Sequence, residues 1–473
     1  MKIDFIIWPA ILVLLLAFSD LSIAQDEDIV DFELDENLFD VEFVEAGQTS
    51  DKDTDSWFEK FTFKLSYQTI TQVNKHKNAN IFNGVDYEYP RTENNRFNLL
   101  VKYQNAFAPG WLLQGNGHAK LYARRDYEYR ANDNNTETEY RINELFIQRS
   151  FDQHSMKFGR QTVVWGENEG NSVLDVLNTS DIRDLSIVNI EDARLNQWML
   201  VWDYFKSSDT NNHGKLSSFV NLYPEFNPPP QRGSPFYFQP PFKLTDLDRD
   251  DALFEAGLNY SWSLPASDIS IMAAYLYENQ LRYEPPLGSS IEGVAVENDY
   301  ALIGLSANRA IDKLLLKFDF AYSHGLIADI APVNPASAFV PVTRIKKNKI
   351  GTSFGFEYGI SSEQQVSFSV LAETFLNQDK ELPVGFDLID KDVSGSYLIR
   401  YSNTSSTGDF SASATLQSAL DSSFLLASLG LNYVVNDNWS IFSQLVLTDT
   451  KEDSSAAFLD DDTRVEFTVN FSF

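Results

Sequence analysis

The residues best placed to do chemistry in this chain are cations set an even number of positions apart. Lys60 and Lys64, then Arg96 and Lys102, then His118, Lys120 and Arg124 each sit on the polar side of a segment whose other side is apolar. Gathered on one surface, such groups attract carboxylates and phosphates. No comparable arrangement suggests catalysis. The histidines, His76, His118, His154, His213 and His324, are scattered without metal-ligand spacing, and no serine stands in a nucleophile motif. The chain is therefore expected to be no enzyme and to need neither metal nor cofactor. A formal net charge of -31 argues against binding nucleic acid through its phosphates. The acidic stretches 126–139 and 451–462 lack EF-hand spacing and read as solvated charge.

The elements that must hold these cations are strands. The chain carries 36 Phe, 21 Tyr and 8 Trp among 473 residues, yet its mean hydropathy is negative, so apolar and polar residues must be interleaved. Phe61, Phe63, Leu65 and Tyr67 alternate with Lys60, Thr62, Lys64 and Ser66. The same period of two recurs in Leu314, Leu316, Phe318, Phe320 and Tyr322, in Phe354, Phe356, Tyr358 and Ile360, and up to Val465, Phe467, Val469, Phe471 and Phe473. Apolar faces flanked by aromatics suit strands that cross a bilayer. Short connections near 106–110, 151–153, 310–312, 361–363 and 435–438 alternate with long ones near 71–94, 165–195, 225–250, 279–297, 325–343 and 378–392. The fold class predicted is all-β: a transmembrane antiparallel up-and-down β-barrel of about 18 strands, or about 16 if two weak ones fail. In such a barrel consecutive strands are neighbours, so the cations of the first three should share one wall of the lumen. Later inward faces carry Ser367, Ser369, Ser394, Ser396, Ser411, Ser413, Thr415 and Gln417. One side is predicted to be basic, the other rich in hydroxyls.

Between the two sets runs Lys157-Phe158-Gly159-Arg160-Gln161-Thr162-Val163-Val164-Trp165-Gly166-Glu167. Its glycines allow a bend or a close approach, Trp165 suits a membrane interface, and Arg160 with Gln161 offers donors near a strand end. The connection that follows contains Asn171-Ser172 as a helix cap before Val173, Leu174, Val176 and Leu177, which predicts a short helix packed inside the lumen. Folded inward, Arg160, Glu167, Glu169, Asp175, Arg183 and Asp184, with Asp181 and Arg194, would form a charged constriction. Folded outward, the segment would be an external loop with a small apolar knot.

This string resembles the G-R-Q-x-V-x-W-G-E motif of a proteobacterial family of outer-membrane β-barrels of unassigned function. The resemblance implies an association with lipid or hydrophobe transport systems that include resistance-nodulation-division pumps. A more distant resemblance is to the alginate-export type of barrel, which implies a lumen dense in arginine; here the arginines are fewer.

The termini supply an expected address. Residues 1–24, with Lys2, an apolar run from Phe5 to Phe18 and Ser22-Ile23-Ala24, predict a signal peptide cut after Ala24. Residues 25–56 form an acidic periplasmic leader, either disordered and self-repelling or a docking peptide presenting Val30, Phe32, Leu34, Leu38, Phe39, Val41, Phe43 and Val44 to a periplasmic partner. Residues 57–473 are the barrel. The ending at Phe471 and Phe473 resembles the recognition signal of the outer-membrane barrel assembly machinery. Expected partners are that machinery and the lipids and lipopolysaccharide of a Gram-negative outer membrane. The expected function is a porin-like channel for an anionic or amphipathic solute. The alternative is a plugged component of an envelope lipid or hydrophobe transport complex, working with a periplasmic or resistance-nodulation-division partner.

Overall fold

The computed structural model describes most of residues 57–473, and its largest undescribed stretches, 80–85, 127–136, 184–192, 207–212, 230–242, 285–291 and 333–342, fall in connections. Residues 1–56, which carry the expected signal peptide and leader, lie outside the described residues, as do Arg124, Glu169 and Asp184.

Residues that alternate apolar with polar form strands because only a pleated backbone sends successive side chains to opposite faces. The strands are β1 (Phe61–Gln72), β2 (Glu93–Ala108), β3 (Trp111–Tyr122), β4 (Glu137–Phe151), β5 (His154–Gln161), β6 (Gln197–Lys206), β7 (His213–Asn221), β8 (Glu255–Leu264) and β9 (Ser267–Tyr277). The series continues with β10 (Asp299–Ile311), β11 (Leu314–Pro332), β12 (Thr343–Gly359), β13 (Gln364–Phe375), β14 (Ser394–Thr404), β15 (Phe410–Ala419), β16 (Phe424–Asn436), β17 (Trp439–Thr450) and β18 (Thr463–Ser472). Each pairs antiparallel with the next, and β18 returns to β1 with Leu65 opposite Phe471 and Gln72 opposite Arg464. The ring is a closed barrel of 18 strands among the described residues. A short extra strand, Phe386–Leu388, extends the end of β11 without joining the ring.

Closure is completed by aromatics. The backbone of Phe473 exchanges two hydrogen bonds with Phe63, each 3.0 Å, and their rings stack 5.3 Å apart. Phe471 in turn meets Trp439 at 4.7 Å. All eight turns at this end, such as Pro109-Gly110 and Asp152-Gln153, are short. At the opposite end most connections are long, although β15 and β16 are joined by only residues 420–423.

The outward rows carry Leu65, Phe97, Phe158, Leu258, Ile303 and Leu429, all largely exposed. A continuous apolar belt around the ring needs hydrocarbon against it, since soluble proteins rarely expose patches beyond a few hundred Å². The inward rows are mixed, with a different emphasis around the ring. On β13 to β18 hydroxyls and amides predominate, with Glu373, Arg400, Leu426, Val446, Arg464 and Glu466 among them, and all eight of the predicted residues from Ser367 to Gln417 lie in inward register. On β1 to β5 they carry the predicted cations among amides and the carboxylates of Glu139 and Glu144. On β6 to β11 they form an apolar patch, with Met199, Val201, Phe219, Met272, Leu276 and Leu302 buried inside the ring beside polar residues such as Asn221, Glu255 and Asp319.

The face assignment makes a direct prediction for Leu429, which points outward near the middle of β16. Leu429→Arg is expected to destabilise the bilayer-embedded barrel by about 2–4 kcal/mol, whereas arginine at the adjacent inward Ser428 should cost less than about 1 kcal/mol. Equilibrium unfolding from lipid vesicles in urea measures both.

Candidate functional site

An apolar patch inside a barrel would be wetted at a cost unless something covered it, and the described residues of the connection 162–196 do. Trp165, Val173, Leu174 and Leu177 are buried in one cluster with Met199, Phe219, Met272, Leu276, Tyr300 and Leu302. Trp165 meets Phe219 edge-on at 5.5 Å. The segment lies against the barrel wall so tightly that a Cβ on Gly304 would come within 2.5 Å of Leu174 Cδ2. The loop is therefore inside the lumen. Trp165, expected at the membrane interface, is part of this interior core instead.

A polar clamp fixes the same loop. The carboxylate of Asp319, inward on β11 and wholly buried, accepts hydrogen bonds from Glu167 N (2.9 Å), Asn168 N (3.2 Å), Asn168 Nδ2 (3.1 Å), Ser172 Oγ (2.8 Å) and Ser353 Oγ (3.1 Å). A carboxylate stripped of water costs several kcal/mol unless its oxygens are occupied, and here they are. Ser396 Oγ on β14 donates to Asn171 Oδ1 at 2.8 Å, which carries the crossing further. Asn279, from the connection 278–298, holds it by donating to the carbonyls of Val176 and Asn178. The predicted short helix does not form: Ser172 accepts from Leu174 N at 3.1 Å as a cap would, but its proton goes to Asp319 and the chain only turns.

The predicted constriction residues separate into three groups. Glu167 sits in the clamp and accepts from Asn308 Nδ2 at 2.9 Å. Asp175 pairs with Arg194 at 2.7 Å on the loop itself. Arg183 bridges Asp181 at 2.7 Å and Glu139 at 3.0 Å, while Arg141 bridges the same two carboxylates at 3.0 and 2.8 Å. Burial by itself would raise the Asp181 carboxyl, but the hydrogen bonds and charge of Arg183, with those of Arg141, hold it well below the usual carboxylate range. Arg160 is a correction. It occupies the outward row with Leu145, Phe158 and Trp198, and its guanidinium is held by Glu225 at 2.7 Å. That row passes from lipid to loops at the end of β5, so a cation there meets an external carboxylate rather than the lumen.

The residues expected to form a basic wall are placed as follows. Lys64, Arg96, Lys102, His118 and Lys120 all lie in inward register on β1 to β3; Lys60 precedes β1 in the short 3₁₀ turn Trp57–Lys60. Arg96 is buried and pairs with Asp126 at 2.7 Å, over the Tyr122 ring. Lys120, opposite Glu139 in register, has no hydrogen-bond or ion-pair partner among the described residues. His118 Nε2 is likewise buried without one. Sequence reasoning missed Asp319, Arg141 and the strand placement of Glu139. An inward aspartate in the middle of a membrane strand is the signal that would have found the first, because such a group must be paired.

Residues 49–246, fewer than half of the chain, match a family model described as "Protein of unknown function (DUF1302)". No curated protein matches. Among solved structures the chain is similar to Acinetobacter baumannii OccAB3, with 11% identity, a TM-score of 0.46 and coverage of 88% of this chain and 99% of that one. It is also similar to Pseudomonas aeruginosa OccK8 (OprE), with 8% identity, a TM-score of 0.48 and the same coverages. Pseudomonas aeruginosa OpdK with vanillate gives 8% identity and a TM-score of 0.45 over 88% and 100%. At these identities and TM-scores nothing is carried over from them to this chain.

Two outcomes follow from the clamp. Asp319→Ala leaves the Glu167 and Asn168 amides without their acceptor, so stability should fall by about 3 kcal/mol, and trypsin should cut after Arg194, which the native loop shields. Burial holds the Glu167 carboxyl above its ordinary value, with Asp319 and Asp268 adding to the effect against the opposing Asn308 hydrogen bond and the Lys317 charge. Its ionised form is therefore the one folding disfavours, and stability rises as pH falls through the folded value. Glu167→Gln should be more stable than the native chain at pH 7, and the advantage should shrink in acid; thermal unfolding across pH measures it.

Proposed function

We propose that this chain is a porin-like channel of a Gram-negative outer membrane that passes small anionic solutes along the wall formed by β1 to β5. The inward loop covers the apolar patch, which leaves largely polar residues to face whatever passes. The observation that carries the reading is the unpaired ammonium of Lys120. Around it stand Arg96, Arg141 and Arg183, which engage Asp126, Glu139 and Asp181. A lysine at a membrane interior is costly unless it serves a path or a partner. Inside a low-dielectric wall its field is focused on the lumen despite the acidic charge of the whole chain. The final aromatics Phe471 and Phe473 are assigned to recognition by the barrel assembly machinery, the bilayer and lipopolysaccharide to the outer belt.

The second reading, a plugged station of an envelope transport complex with a periplasmic partner, is favoured by the depth of the clamp, since a loop with its own apolar core resists displacement. It predicts a silent barrel. Planar bilayers separate the two. The channel reading expects steady conductance and an anion-selective reversal potential in a salt gradient, with Lys120→Glu lowering the anion-to-cation permeability ratio by at least about threefold. Absence of conductance, or cation selectivity in the native barrel, would contradict it.

A further inference from the structure

Lys120 and Glu139 oppose each other across β3 and β4, in register on the inward side. Opposite charges at directly opposed positions of neighbouring strands stand close enough to pair. Here they do not pair. Lys120 has no hydrogen-bond or ion-pair partner among the described residues, while both oxygens of Glu139 are engaged by other groups. Its Oε1 accepts from Arg141 Nη2 at 2.8 Å and from Arg183 Nη2 at 3.0 Å, and its Oε2 accepts from the Tyr122 hydroxyl.

Of these donors, Arg183 comes from outside the strand pair, on the inward connection 162–196. Its guanidinium spans two carboxylates, giving Nε to Asp181 Oδ1 and Nη2 to Asp181 Oδ2, each at 2.7 Å, and sharing Nη2 with Glu139. Arg141 spans the same two from β4, with Nη1 on Asp181 at 3.0 Å and Nη2 on Glu139. Two forks therefore serve two carboxylates. Without Arg183, Arg141 alone would be left for both. Asp181 is the more deeply buried, its side chain 6% exposed against 21% for Glu139. An uncompensated charge costs most where burial is deepest, so Arg141 would stay with Asp181. Glu139 would then find Lys120 as the unengaged cation directly across from it, since Arg96 is held by Asp126.

We propose that Arg183 is a positioning residue for the basic wall: by holding Glu139 it keeps that carboxylate from neutralising Lys120, so the inward loop sets the charge that a passing solute meets. Arg183 acts through Glu139 and Lys120 and needs no contact of its own with a solute. The consequence for anion passage rests on the channel reading; the competition for Glu139 does not, since it is read on the solubilised barrel.

The test is pulse acetylation of the full chain in nonionic detergent with acetic anhydride, read at Lys120 by mass spectrometry. An amine held by a carboxylate stays protonated and shielded, so Arg183→Gln should slow acetylation of Lys120 at least about threefold. Glu139→Gln added to Arg183→Gln should restore the native rate. A loop that had only come loose would expose Lys120 and speed the reaction instead. Arg183→Lys, which keeps the charge without the fork, should slow Lys120 to an intermediate extent and carries the test if Arg183→Gln folds poorly. In planar bilayers Arg183→Gln should lower the anion-to-cation permeability ratio as Lys120→Gln does, and combining the two should lower it little further. A silent barrel would remove the channel reading and leave the labelling to decide this one. An unchanged or faster reaction of Lys120 in the Arg183 variants, no recovery with Glu139→Gln, or additive losses of selectivity in a conducting barrel would overturn the assignment.

Discussion

The buried carboxylate of Asp319 is the interaction on which the rest of this structure depends. It lies inside a barrel whose wall must already pair every peptide group internally, because hydrocarbon offers no substitute partners. Placed there without donors, it would be a severe liability. With two backbone amides, an asparagine side chain and two hydroxyls directed at it, it becomes the point at which a long connection is tied to the far wall. The apolar cluster around Trp165 and Leu174 adds the driving force, and the carboxylate adds the position. Neither alone would fix the loop: burial without the clamp is non-directional, and the clamp without burial would be open to water.

The division of the lumen follows from that tie. A ring of 18 strands encloses more space than side chains fill, so its interior chemistry depends on which sectors a loop covers. Here the loop covers the apolar patch and reaches Ser353, Ser369 and Ser396 on β12 to β14, and the residues left facing the lumen are largely polar. The far end of the same loop carries Arg183 and Asp181 to Glu139 and Arg141 on β4, which fastens it at the edge of the basic wall. The loop thus determines both what is hidden and what charge remains unmatched. Among the described residues Lys120 has no carboxylate partner, while Asp126, Glu139 and Asp181 are engaged by arginines, whose forked donors hold a carboxylate at two points.

Much of this was legible from residue order. Alternation in segments such as Leu314 to Tyr322 specifies both the strand and its two faces, since the side-chain period of two admits no drift over several residues. The rows of β1 to β3 could be placed on one wall because neighbours in an up-and-down barrel are neighbours in sequence. The loop was different. Its direction, inward or outward, was left open, for Asp319 and Asn168 are separated by 151 positions and no local pattern links them. The turn at Ser172 has the composition of a helix start, but a helix needs several more residues of local preference than a buried carboxylate allowed it. Arg160 misled for a simpler reason: a polar residue on a strand suggests the lumen only while the strand is still within hydrocarbon, and β5 ends just beyond it.

The central claim is that the described residues of the connection 162–196 are a fixed part of the lumen, tied down at Asp319. Hydrogen–deuterium exchange of the detergent-solubilised barrel measures this at the amides that define the tie. Glu167 and Asn168, although outside any strand, should exchange as slowly as the paired residues of β11. Exchange at the rate of a free loop at both positions would contradict the account.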